Sequence, residues 1–198
     1  MRVGKPLNNK LMKKIISVEW LSLDGYFTDA NNGTDWFVSS EETGNYLLKL
    51  FANIDTILLG KITYEIFAAY WPKPNPSDPN PKALIDFMNN SRKVVFSKSL
   101  KKAEWNNSVL KEDIDITEIN KLKKDASKDI VIFGSGTIVS QLTKLGLIDE
   151  YQFLIIPVFL GNGKTLFKNE EAKAKLKLLN SKKFENGNMA LHYEADNN

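Results

Sequence analysis

The stretch DIVIFGSGTIVSQLTKLG, residues 129 to 146, sets the fold class. Residues 129–133 form a short run rich in β-branched and aromatic side chains, of the kind that fills a strand buried on both faces. Gly134-Ser135-Gly136-Thr137 then opens a helix in which Ile138, Leu142 and Leu145 fall at i, i+4 and i+7, and Gly146 closes it as a C′ glycine. The same order of strand, glycine and helix occurs at residues 55–59, Gly60 and KITYEIFAAY (61–70), where Ile62, Ile66 and Ala69 share a face. Strands that alternate with helices in this way belong to parallel sheets.

Further out, Ile16, Val18 and Trp20 alternate with Ser17, Glu19 and Leu21, a strand that runs into the turn signal Asp24-Gly25. Ser39 followed by Glu42 reads as a capping box, starting a helix over 40–53 with Leu47, Leu50 and Phe51 inward. Residues 72–81, PKPNPSDPNP, hold five prolines and read as a surface loop inside one domain, because the fragment before them would leave strands unpaired. Residues 82–91 read as helix, 93–97 as strand, and 98–128 as charged loop and helix. A long apolar strand follows at 151–160, then a hairpin over 176–195 turned by Asn186-Gly187. The lysine-rich 168–183 reads most simply as the solvated face of a helix and loop. The fold class expected is α/β: a single-domain mixed, mostly parallel twisted sheet with helices on both faces and an antiparallel C-terminal hairpin. Residues 1–12 show no periodicity and read as an extension or tag before a domain over 13–196.

Composition removes several kinds of chemistry. The 27 basic and 24 acidic residues give +3, mixed along the chain, so no nucleic-acid footprint is expected. No apolar run approaches the roughly 18 residues that span a bilayer, so no membrane partner is expected either. Cysteine is absent and His192 is the sole histidine, which excludes thiolate and multi-histidine metal sites and fits a reducing cytoplasm. His192 falls in the final hairpin and reads as a satisfied sheet residue.

The chemistry therefore concentrates at the two strand-to-helix glycines. Free N–H groups at a helix start and the positive end of its dipole attract phosphate, and absent side chains admit it closely. The competing reading of Gly60, Gly134 and Gly136 is tight-turn geometry alone. A dinucleotide-binding G-x-G-x-x-G fingerprint fits GSGTIVS poorly, since Asp149 and Glu150 arrive too early for its acidic residue.

Six segments in order carry a resemblance: SLDGYF (22–27), DW (35–36), LLGKITYE (58–65), FMNNSRKVVFSKSL (87–100), GSGTIVSQL (134–142) and LIDEYQFLIIPVFLGNGKTLF (147–167). The chain resembles the dihydrofolate reductase superfamily, in the branch of the reductase domain of bifunctional riboflavin-biosynthesis deaminase/reductases. The resemblance implies NADPH as cofactor. It implies that Gly60, Lys61 and Thr63 hold phosphates, that Ser97 and Lys98 lie by the adenosine phosphate, and that Gly134, Ser135, Gly136, Thr137 and Ile138 hold the pyrophosphate. Lys61 stands where arginine is common, and Lys98-Ser99 where Arg-Thr is frequent, so a point charge replaces a bidentate fork. On the substrate side it implies Asp24, Gly25 and Trp36, with Glu41, five residues after Trp36, as the acid that protonates the ring. Glu41 can equally serve only the helix dipole, and Asp35 and Glu19 are rival acids, Glu19 facing an exposed sheet surface. The activity implied is hydride transfer from NADPH to a heterocycle, pteridine-like or a ribosylaminopyrimidine. The alternative is a nucleotide-binding or ligand-sequestering dimer without catalysis. A homodimer is expected because the strand at 151–160, near the sheet's end, needs cover.

Overall fold

The apolar runs at 15–18 and 130–133 lie side by side in the computed structural model, which describes residues 12–78, 80–167 and 174–196. The expected extension at 1–12 lies, apart from Met12, outside the described residues. In chain order the elements are β1 (Ile15–Ser22), β2 (Tyr26–Asp29), α1 (Glu41–Phe51), β3 (Ile54–Gly60), α2 (Lys61–Tyr70), α3 (Lys82–Asn90), β4 (Arg92–Phe96) and β5 (Ser108–Lys111). There follow α4 (Ile116–Asp125), β6 (Asp129–Phe133), α5 (Gly136–Lys144), β7 (Glu150–Ile156), β8 (Gly163–Thr165), β9 (Lys175–Lys183) and β10 (Met189–Asp196). Eight strands form one sheet in the order β5-β4-β3-β6-β1-β7-β10-β9, while β2 and β8 pair as a separate ribbon. Pairing is parallel from β5 through β7 and antiparallel at β7-β10 and β10-β9.

The central strands are apolar throughout because both faces are covered. Ile15, Leu58, Ile130 and Ile132 face Ile119, Ile138 and Leu142 of α4 and α5. Ile16, Val18, Leu59 and Val131 face Leu47 and Phe51 of α1 and Leu84 and Met88 of α3. Lys93, fully buried, donates to the carbonyls of Asn89, Ser91 and Asn106 and sits 4.2 Å over the Trp105 ring, tying off the end of α3. Burial lowers its pKa to about 8.

Several local readings are corrected. The N-cap of α1 is Ser40, not Ser39: Ser40 is extended (φ −144°, ψ 162°) and its Oγ accepts from Thr43 N at 3.2 Å. Glu42 does not close a capping box; it accepts from Glu185 N and pairs with Lys182 at 2.9 Å, fastening α1 to the C-terminal hairpin. The apolar strand stops at Ile156, because Pro157 has no N–H to continue a ladder, and it lies inside the sheet between β1 and β10. Of the lysine-rich 168–183, residues 168–173 lie outside the described residues, and 175–183 are strand rather than helix, forming one of the sheet's two edges. The proline-rich loop packs back onto α1, where a Cβ at Gly44 would meet Pro81 Cδ at 2.5 Å.

Candidate active site

A cleft of about 1260 Å³ opens at the carboxyl ends of β1, β3, β4 and β6. In an open α/β sheet this edge collects ligands, because each strand there hands over to a helix whose N-terminus faces outward. Two such helices meet here. β3 passes to α2 through Gly60, and β6 passes to α5 through Gly134 and Ser135. Gly134 has φ +67°, a conformation that side chains other than glycine's rarely adopt. The two turns are sewn together: Gly60 N donates to Ser135 Oγ at 3.1 Å, and Thr63 Oγ1 donates to Gly134 O at 2.9 Å. This places the N-termini of both helices, with the orphan amides of their first turns, on one side of one cleft.

All ten residues expected at the cofactor line this cleft. Their side chains divide the work. The Thr63 and Ser135 hydroxyls hold the turns together, and Ser97 Oγ accepts from Ser99 N and Leu100 N, shaping the loop after β4. Lys61 Nζ reaches Ser99 Oγ at 3.2 Å, and Lys98 pairs with Asp113 at 2.6 Å. Ile138 has its side chain buried in the core and its N–H donated to Ser135 O at 2.8 Å. Gly136 is required by a neighbour: a Cβ there would lie 2.7 Å from Phe27 Cζ, on the ribbon strand β2.

The expected substrate residues are not brought to the cleft. Asp24 clamps the turn after β1 to the 160s loop, accepting from Ser22 Oγ at 2.6 Å and Gly161 N at 2.8 Å, and the Ser22 hydroxyl holds its carboxyl below the usual range. Gly25 (φ +86°) completes that turn. Trp36 donates to Gly33 O and meets Phe37 edge-on at 4.4 Å. Asp35 and Glu41 are exposed, Glu41 at the start of α1 where its charge meets the helix dipole.

Other residues line the rest of the cleft. Trp20 and Phe37 stack at 5.7 Å, Trp20 and Phe67 each approach Phe133, and Phe67 meets Trp71 at 6.2 Å. These five rings wall one end of the cleft, and Trp71 Nε1 there lacks a hydrogen-bond partner. Ile62 and Ile66, 65% and 51% exposed, face the same cleft rather than the core. Glu19 also lines it, 1% exposed rather than on an open sheet face. Burial pushes its carboxyl well above the usual range, opposed in part by the backbone N–H groups of Gly134 and Ser135. The signal for Glu19 was its place in β1, where alternation with Val18 and Trp20 sets it on the face of Ile15 and Ser17.

This sheet order and glycine-turn cleft define a dihydrofolate reductase-like α/β fold. The chain belongs to the RibD C-terminal domain family, which it matches over residues 13–190. It is 32% identical over 186 residues to the uncharacterized protein YyaP of Bacillus subtilis (strain 168), covering 94% of this chain and 97% of that one. A putative riboflavin biosynthesis protein from Shewanella sp. PV-4 superposes with a TM-score of 0.71 at 19% identity, covering 92% of this chain and 99% of that one. Dihydrofolate reductase from Enterococcus faecalis, complexed with NADP(H) and RAB-propyl, gives a TM-score of 0.62 at 14% identity, covering 93% of this chain and 97% of that one. Among the described residues no helix is long and apolar enough to cross a membrane, and no group of three or more His, Asp or Glu could hold a metal ion.

Proposed function

We propose that the chain is an NADPH-dependent reductase acting on a planar heterocycle, pteridine-like or a ribosylaminopyrimidine. The observation that carries this reading is the joining of two helix N-termini, through Gly60–Ser135 and Thr63–Gly134, beside a five-ring aromatic wall in one cleft. The residues present fit a dinucleotide: paired amide-bearing turns for a diphosphate, and Lys61 and Lys98 toward a 2′-phosphate. NADPH, when bound, supplies the hydride, and the protein's part is orientation and exclusion of water. Trp20, Phe37, Phe67, Trp71 and Phe133 offer flat apolar surface to a ring. The second reading, nucleotide binding without catalysis, draws on one fact: Glu41 and Asp35 stand outside the cleft. Following NADPH oxidation with dihydropteridines and aminopyrimidine ribosides separates the two. Turnover of any member of the panel supports the reductase; cofactor binding with no turnover favours the second reading.

A further inference from the structure

Glu19 stands in β1 opposite Phe153 of β7, buried, beside the turn of Gly134 to Gly136. Its Oε1 has no hydrogen-bond partner, while the N–H groups of Gly134 and Ser135 lie against the carboxyl. An acid in the middle of a parallel sheet is costly, and an apolar residue would serve the core better. A buried, unpartnered carboxyl oxygen on a residue that lines a ligand-sized cleft marks Glu19 as placed for something that binds there.

The shared turn decides the form in which it acts. Ionised, Glu19 would claim the Ser135 amide, compete with Val18 O for that of Gly134, and add a negative charge beside an incoming anion. Neutral, it brings an O–H donor to a ligand rich in acceptor oxygens. We propose that Glu19 engages the dinucleotide diphosphate as a neutral carboxylic acid, its O–H donating to a phosphate oxygen, so that binding takes up a proton wherever the unliganded protein has lost it. The proposal rests on the cofactor reading above. The proton comes from solvent, and no other bond is made or broken. The titratable groups in the cleft are Lys61 and Tyr70 on α2, Lys98, Glu112 and Asp113 at the far rim, and Lys164 on β8. The neighbours on β6, α5 and β7 that face Glu19 bring no charge, and burial against two amides alone sets its ionisation.

Calorimetric titration of NADPH from about pH 6 to about pH 9, in two buffers of different ionisation heat, tests this. Wild-type affinity should fall about tenfold per pH unit above the titration of Glu19, with proton uptake on binding. Glu19→Gln keeps a neutral donor and should bind well across the range, without that slope. Glu19→Met lacks the donor and should bind more weakly at every pH. The 2′-phosphate titrates near pH ~6 in both proteins and cancels in the difference. Melting of the unliganded proteins adds a second measurement. The folded pKa of Glu19 is raised, so the native state holds a proton that the unfolded chain has lost from the ordinary 4.5 upward. Wild type should therefore lose stability as pH rises toward the folded pKa, and Glu19→Gln should not. Wild-type binding with no more proton uptake than Glu19→Gln overturns the inference alone. Absence of NADPH binding at every pH overturns the cofactor reading and this inference together. If the variants do not fold, buffer-dependent proton uptake by the wild type above about pH 8, where the 2′-phosphate is fully ionised, decides it.

Discussion

Glu19 and Glu41 carry the same carboxyl into opposite surroundings. Glu41 is exposed at the first turn of α1, where a negative charge favours the helix dipole, and Asp35 is exposed in the turn before it. Neither reaches the cleft, so Glu41→Gln and Asp35→Asn should leave NADPH affinity and reduction rate within about twofold, whereas loss of a proton donor costs about 10² to 10⁴ in rate. Steady-state kinetics beside a binding titration checks this. A hundredfold loss of rate in either variant with intact binding would return proton delivery to the segment before α1. The Trp36-to-Glu41 spacing matched a pattern but not a location, since spacing along a chain does not say which way a loop folds over a sheet. Glu19 was visible in the sequence as a charged residue in an apolar strand. Its burial was not, because alternation alone cannot tell a covered sheet face from an open one.

At the scale of elements, the parts legible in the sequence were those that local chemistry dictates: apolar runs for β1, β3 and β6, and glycines that pass them to helices. Ile62 and Ile66 carry the helical period of α2 yet point into the cleft, since a binding surface uses the same apolar stripe as a core. The Gly136 reading changes in its physical reason. Its missing side chain admits Phe27 from the β2-β8 ribbon, so a larger residue strikes protein before it strikes ligand. Gly136→Val should therefore destabilise by about 1 to 3 kcal/mol, lowering Tm by about 2 to 12 °C, in addition to impairing cofactor binding. Adding Phe27→Ala should recover most of the lost Tm, as thermal melting can follow. An unchanged Tm in Gly136→Val would show that Phe27 moves aside freely.

For the whole molecule, the expected reason for a dimer fails at β7, which is interior, and passes to the C-terminal hairpin. Leu176, Leu178 and Leu179 of the edge strand β9 are exposed, beside the half-covered Leu191, Tyr193 and Ala195 of β10. We propose a homodimer through this surface, to be seen by light scattering at micromolar concentration as twice the chain's 22.4 kDa. Leu178→Glu should reduce it to a monomer; a wild-type monomer would contradict the proposal. The lysines of β9 oppose direct edge-to-edge pairing, so the contact expected is face to face.

On the proposed function, the paired turns hold a phosphorylated nicotinamide dinucleotide. Trp20 and Trp71 line the cleft and report on its occupancy by fluorescence. Titrating NADPH and NADH into the wild type and Lys61→Ala is the most direct test. NADPH should bind about tenfold or more tightly than NADH, and Lys61→Ala should remove most of that difference, as loss of a charge-assisted contact to the 2′-phosphate requires. Equal or tighter binding of NADH, or no binding of either dinucleotide, would contradict the account.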